Sequence, residues 1–273
     1  MKAMEELINR LEELKKLDTI SSYSHIKNIL KNQIIPVPIL EYKPYRLIRY
    51  RRHNKGEEFF NCSHELSYRT DILNIHNFGR ANEPGQGFFY CNDNKNQETG
   101  ISEAVSIFRG NKDSEEEILT IGAWDLKKPL NLVMILPTEK NSGNNLEFDK
   151  MREFYNGFDK SEEFEDLKTF NEFLANEFTL DLEKQKSNYK ITCAFSNYIK
   201  EKFPEVDGII YASVKSEFNG TNMVLWPEVV DEKLDFVAAR KSIFKKVADK
   251  TFVEVKTFDS TDYDKKSDEI NWK

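Results

Sequence analysis

The sequence predicts an α+β fold, and three observations carry it. Apolar residues recur at helical spacing in several separate stretches of the 273-residue chain. Between them lie β-branched and aromatic runs bounded by glycine, proline and asparagine, the pattern of strands. The chain has no internal repeats, and helical and strand signals interleave along it.

In order, Met4, Leu7, Ile8, Leu11, Leu14 and Leu17 share one face of a helix over 4–17. A second helix is expected over 20–35, stopped by Pro36 and Pro38. Residues 1–40 thus read as a helical N-terminal extension, covered by its own domain or by a partner. Tyr45–Arg52 alternates as a strand, with Leu47, Arg49 and Arg51 on one face and Ile48, Tyr50 and Arg52 on the other. Four arginines in one strand fit a charged edge strand or an anion-binding strand. Residues 53–77 are polar and predict a loop with a short helix.

Phe78-Gly79-Arg80-Ala81-Asn82-Glu83-Pro84-Gly85-Gln86-Gly87 follows, and leads into the strand Phe88-Phe89-Tyr90-Cys91. Glycines permit tight turns and close approach, and arginine suits planar contact with phosphate or carboxylate. The stretch is either a turn with a surface arginine or a loop presenting Arg80 to an anion. Residues 99–108 predict a helix with Glu103 in its first turn, a position that the helix dipole alone favours for a carboxylate. Strands are expected over 118–126 and 130–136, joined by Lys127-Lys128-Pro129. Residues 138–188 are charged and predict a helical insertion, with Phe164, Leu167, Phe170, Phe173 and Leu174 on its buried face. A helix over 191–203, strands over 209–214 and 222–226, and one or two strands or a helix over 231–257 complete the main domain, residues 41–257. Residues 258–273 read as a polar, frayed tail.

Composition narrows the function classes. Net charge is −7, with 47 acidic against 40 basic side chains and no basic tail, which argues against nucleic acid as partner. No apolar run is long enough to span a bilayer, and the first residues are charged rather than signal-like. Cys62, Cys91 and Cys193 stand singly, pointing to a reducing cytoplasm without disulfides. The four histidines show no metal-ligand spacing, so no metal is expected. There is no nucleophile elbow and no dinucleotide-binding glycine fingerprint.

Taken together, the local strings resemble the RES domain family. They are Ile48-Arg49-Tyr50-Arg51, Gly79-Arg80-Ala81-Asn82 before Phe89-Tyr90, Thr99-Gly100-Ile101-Ser102-Glu103, Val206-Asp207-Gly208-Ile209-Ile210-Tyr211-Ala212-Ser213-Val214, and Gly220-Thr221-Asn222-Met223-Val224-Leu225-Trp226-Pro227. The resemblance covers roughly residues 44–235. The N-terminal helices and the longer 138–188 insertion depart from compact members. It implies an ADP-ribosyltransferase-like fold, a split, mostly antiparallel sheet around a cleft. It implies NAD as a consumed substrate rather than a cofactor, with its nicotinamide–ribose bond cleaved by water or inorganic phosphate. Family members act as toxins of toxin–antitoxin pairs, so an antitoxin or regulatory protein and a homo-oligomer are the protein partners admitted. Alternatives are mono-ADP-ribosylation of a protein and an inactive NAD-binding regulatory module.

The resemblance assigns Arg49, Glu103 and Ser213 to catalysis, and the chemistry agrees. Cleavage passes through an oxocarbenium-like state. Arg49 and Arg80 would hold the pyrophosphate. Tyr50 and Tyr90 would face the nicotinamide or the developing cation. Glu103 would stabilise that cation or activate the nucleophile. Ser213 and Asn222 would bond the ribose or the carboxamide.

Overall fold

The computed structural model describes residues 2–17, 20–53, 56–57, 59–93, 115–137, 148–149, 152–153, 161–180, 189–213, 220–248 and 251–273. The predicted helix over 99–108, and Glu103 with it, lies outside the described residues. Among those residues the chain is mixed α/β, with six α-helices and one ten-stranded, mostly antiparallel sheet. The helices are α1 (Lys2–Lys16), α2 (Ile20–Lys31), α3 (Ser63–Leu66), α4 (Glu162–Thr179), α5 (Lys190–Lys202) and α6 (Pro227–Lys233). The strands are β1 (Ile39–Tyr42), β2 (Arg46–Arg52), β3 (Phe89–Asp93), β4 (Glu116–Leu126), β5 (Leu130–Ile135), β6 (Gly208–Ala212), β7 (Thr221–Leu225), β8 (Leu234–Ala248), β9 (Thr251–Asp264) and β10 (Glu269–Trp272). Their order in the sheet is β1-β5-β6-β7-β3-β2-β4-β8-β9-β10.

The short link between β4 and β5 shows that this sheet is not flat. The two strands are five positions apart in the sheet, roughly 24 Å at the usual strand spacing. Leu126 and Leu130 are four residues apart in the chain, which spans at most about 14 Å. Lys127-Lys128-Pro129 therefore makes no hairpin, and the sheet folds back on itself so that its halves meet at this corner. Lys127 N–H donates to the Lys233 carbonyl there (2.8 Å), and Lys233 pairs with Asp207 (2.6 Å). The fold line falls at β2 and β3, which pair only through Leu47↔Asp93 and Ile48↔Asn92, although both strands run on. One half is thus β1-β5-β6-β7-β3 and the other β2-β4-β8-β9-β10.

The parallel pair in the sheet is β5–β6. Parallel neighbours need a long crossover, usually helical, and here α4 and α5 lie in the chain between them. The charged segment after residue 138 is thus the crossover that joins β5 to β6. α4 rests on β5 and β6, and α1, α2, α4 and α5 pack on one another. Met4, Leu7, Leu11, Tyr23, Ile26 and Leu30 enter the same apolar core as Phe170, Phe178, Phe195 and Ile209. Two polar ties reinforce this layer. Lys15 bonds both carboxylate oxygens of Glu177 (2.7 and 2.9 Å), and buried Lys190 donates to the Leu17 carbonyl at the end of α1 (2.8 Å).

Three expectations need correction. α2 ends at Lys31 rather than Ile35, because the Asn32 side chain donates to the Asn28 carbonyl and the backbone closes turns on Ile29 and Leu30. Ile35 then turns inward, and its N–H donates to the Tyr198 hydroxyl (3.2 Å). β2 is no edge strand: it lies between β3 and β4, and its outer arginines are neutralised across β4, Arg46 by Asp125 and Arg52 by Glu117. The 258–273 tail is not frayed. β9 continues to Asp264 and turns into β10, whose Ile270 is buried and whose Trp272 donates from Nε1 to the Phe60 carbonyl (2.9 Å). Ile270 and Trp272, two apart, share one face of the strand and dock on residues 59–66. Asp268, with φ 57°, accepts from the Ser63 and His64 backbone N–H groups at the start of α3.

A docked terminus contributes to stability where a frayed one does not. Ile270→Ala should lower unfolding free energy by about 2–4 kcal/mol, measured by urea denaturation. An unchanged midpoint would mean that β10 is not part of the folded core.

Candidate functional site

A cleft of about 350 Å³ opens where β2 and β3 part. Its walls come from Arg49 on β2, Tyr90 on β3, the Phe78–Phe88 segment that leads into β3, residues 74–77, Tyr189 at the start of α5, and Arg69, which pairs with Asp71 (2.6 Å).

Arg49 is the centre of this geometry. Its guanidinium is buried, and Nη1 donates to the Tyr90 carbonyl (2.9 Å), a group that β2 would bond if the ladder continued. The guanidinium also lies over the Phe89 ring, 5.0 Å from its centroid. Nε is buried without a hydrogen-bond partner, and no carboxylate among the described residues pairs with this cation. Burial, with the charge of Arg51 adding to it, pulls its pKa down to about 10. Among its strand neighbours, Arg46 and Arg52 have carboxylates, and Arg51 donates to the Glu65 carbonyl and lies over Phe60. A buried cation on a cleft wall without a counter-ion is the arrangement an anionic ligand completes.

The glycine-rich loop is rigid for reasons visible in its residues. Gly79 N–H donates to the Asn82 carbonyl (2.9 Å), and a Cβ on Gly79 would fall on Asn82 Oδ1. That oxygen accepts from the Tyr90 hydroxyl (2.8 Å), which itself accepts from Ala81 N–H (2.9 Å). The Cys193 thiol on α5 donates to the Gly79 and Asn82 carbonyls from behind. Glu83-Pro84-Gly85-Gln86 closes a turn through Gln86 N–H to the Glu83 carbonyl, and Gly85 supplies φ +82° after the proline, as a type II turn requires. Burial raises the Tyr90 pKa, partly offset by its hydrogen bonds to the loop and by Arg80, so the phenol stays protonated at neutral pH.

The other predicted residues fall elsewhere. Arg80 does not line the cleft. Its Nη1 donates to the Phe178 and Leu180 carbonyls at the C-terminal end of α4, and its guanidinium lies over Tyr189 and Tyr211. That is a helix C-terminus meeting a cation. Tyr50 faces away, packed with Leu119, Phe244 and Ile121, because adjacent strand residues point to opposite faces. Ser213 is fully buried at the end of β6, its N–H bonded to the Gly220 carbonyl. Asn222 accepts from the Asn92 side chain on β3 (2.7 Å). Neither Ser213 nor Asn222 lines the cleft. Glu103 lies outside the described residues.

Sequence reasoning missed Arg69, Asn74, His76, Asn77 and Tyr189 in the cleft wall. The polar composition of 53–77 predicts a loop with a short helix and marks no residue of it for a site, and Tyr189 carries no local signal. It also gave no role to Asn82, whose bond to Tyr90 appears only once the loop is folded.

The chain matches no protein-family model and no curated protein.

Two substitutions separate ligand binding from folding. Arg49→Met keeps apolar packing on Phe89 while removing a buried charge, so its stability should stay within about 1 kcal/mol of wild type, since one lost hydrogen bond is worth roughly that much. Pyrophosphate at about ten times its Kd should stabilise wild type by about 1.4 kcal/mol and leave Arg49→Met unaffected, read by thermal denaturation. Gly79→Ala should break the Asn82–Tyr90 hydrogen bond and lower stability by about 1–3 kcal/mol, read by urea denaturation, as overpacking does.

Proposed function

We propose that this chain is a RES-type NAD-consuming enzyme that cleaves the nicotinamide–ribose bond. The observation that carries the reading is the buried, carboxylate-free guanidinium of Arg49 on the cleft beside Tyr90. It is the first arginine expected to meet the pyrophosphate, and it stands in the Ile48-Arg49-Tyr50-Arg51 string that begins the family pattern. The folded-back, mostly antiparallel sheet agrees with an ADP-ribosyltransferase-like fold, which is built as two halves around a cleft. A cleft of about 350 Å³ is at the lower end of the roughly 300–1,000 Å³ of ligand sites and suits one half of a dinucleotide.

In this reading Arg49 neutralises the pyrophosphate, and the Tyr90–Asn82 pair fixes the loop against it. The bond from ribose C1′ to the nicotinamide nitrogen breaks, and its electron pair leaves with nicotinamide as a neutral base. Water attacks C1′ and loses a proton, giving ADP-ribose; inorganic phosphate would give the 1-phosphate instead. Glu103 is assigned to stabilising the oxocarbenium or accepting the nucleophile's proton. Arg80 is assigned to holding the loop on α4 rather than to the anion. Tyr50 is withdrawn from the substrate.

Purified protein incubated with NAD, with and without phosphate, should release free nicotinamide. Glu103→Gln should reduce the rate by about 10²-fold or more, and Arg49→Met should mainly raise KM. Absence of release by wild type, or equal release by Glu103→Gln, refutes the assignment. Label passing from NAD to a protein instead of to free ADP-ribose would change the acceptor.

A further inference from the structure

The C-terminal hairpin meets α3 through an unusual set of side chains, none of which lines this cleft. Cys62, the residue before α3, His64 within it and Asp268 in the β9–β10 turn place one donor atom each within 4.8 Å of one another. We infer that Cys62, His64 and Asp268 form a zinc site that fastens the C-terminal hairpin to α3.

The donor set selects the ion. A thiol and an imidazole disfavour magnesium and calcium, which take oxygen ligands, while thiol, imidazole and carboxylate together suit Zn²⁺. The arrangement also needs little change. Tetrahedral zinc with ligands at about 2.0–2.3 Å keeps its donors roughly 3.3–3.8 Å apart. His64 Nδ1 and Asp268 Oδ2 are 2.6 Å apart and would open slightly around the ion. His64 is exposed, so its ring is free to turn. Asp268 is already oriented for the task. Its Oδ1 accepts from the Ser63 hydroxyl and N–H and from the Tyr263 hydroxyl, which leaves Oδ2 directed at the imidazole. Such outer partners orient metal ligands in known sites. The carboxylates of Glu65, Asp268 and Glu269 lie near Cys62 and make the local field negative, which favours a cation. On binding, zinc displaces the thiol proton of Cys62 and the Asp268 hydrogen bond of His64, and water completes the coordination. Of the three cysteines, Cys91 and Cys193 are buried in the core, whereas Cys62 is half-buried and accessible.

The test uses the full chain, treated with chelator and then titrated with Zn²⁺ by calorimetry and with Co²⁺ by absorption. The expected result is one ion per chain and a thiolate-to-cobalt charge-transfer band. Cys62→Ser should abolish that band, and Asp268→Asn should weaken zinc binding at least tenfold. Zinc should raise the melting temperature of wild type and not that of Cys62→Ser. Absence of the band in wild type, or its persistence in Cys62→Ser, overturns the site. Asp268→Asn retains much of the hydrogen bonding to Ser63 and Tyr263, so its readout is not confounded by loss of the hairpin. Nicotinamide release plays no part in these readouts, so this proposal and the NAD reading fail separately.

Discussion

Beyond Ile48 and Asn92 the ladder between β2 and β3 stops, and the Arg49 guanidinium takes the Tyr90 carbonyl that the ladder leaves. The fold depends on this break. If β2 and β3 paired along their full length, the two halves would form one continuous surface with no cleft between them. The three-residue link from β4 to β5 would still demand a fold-back, and the sheet places it at this seam. The site and the topology therefore have one origin. A charge buried at such a seam is destabilising unless something compensates it. Its strand neighbours show what compensation looks like here, with Arg46 and Arg52 each gripping a carboxylate across β4. Arg49 gets a carbonyl and an aromatic face instead.

Much of the architecture was legible in the sequence because periodicity is a local signal. The amphipathic stripe of α1, the alternation of β2, the aromatic strand after the glycine loop and the β-branched run of β6 all fall where their patterns place them. Long-range pairing was not legible. Nothing in Lys127-Lys128-Pro129 says that the strands on either side lie in opposite halves of the sheet. The tail misled for a related reason. Its composition is polar, yet two apolar residues at period two, Ile270 and Trp272, suffice to dock it once Phe60 and Asn61 supply backbone partners.

The candidate site was legible in part. Arg49 and Tyr90 reach the cleft, but Tyr50 could have been rejected from alternation alone, since residues i and i+1 of a strand face opposite ways. Arg80 illustrates a different limit. An arginine in a glycine-rich loop suits an anion, and it equally suits the carbonyl end of a helix, which carries partial negative charge. Only the position of α4 decides between them, and α4 is almost a hundred residues away in the chain. A separation twice as long hid the Cys62–His64–Asp268 group: the Cys-x-His spacing is too short to be a metal signal by itself, and Asp268 lies 204 residues beyond His64.

The N-terminal helices follow from the same logic. Read from sequence they are an extension, covered by their own domain or by a partner, of a domain that begins near residue 41. In the structure they stand behind the glycine loop. Lys27 on α2 pairs with Glu83 (3.2 Å), and the Tyr23 ring packs edge-on against Phe78 at 4.8 Å. From α5, Asn197 accepts from the Gln86 side chain (2.7 Å) and donates towards the Tyr23 hydroxyl (3.4 Å). The turn that precedes β3 is thus held by side chains from two helices, one before the main sequence pattern and one within it. A loop whose glycines give it conformational freedom needs such external bonds to adopt one shape. The helices that look peripheral supply the rigidity that the loop's own composition withholds, and the position of Tyr90 against Arg49 depends on them.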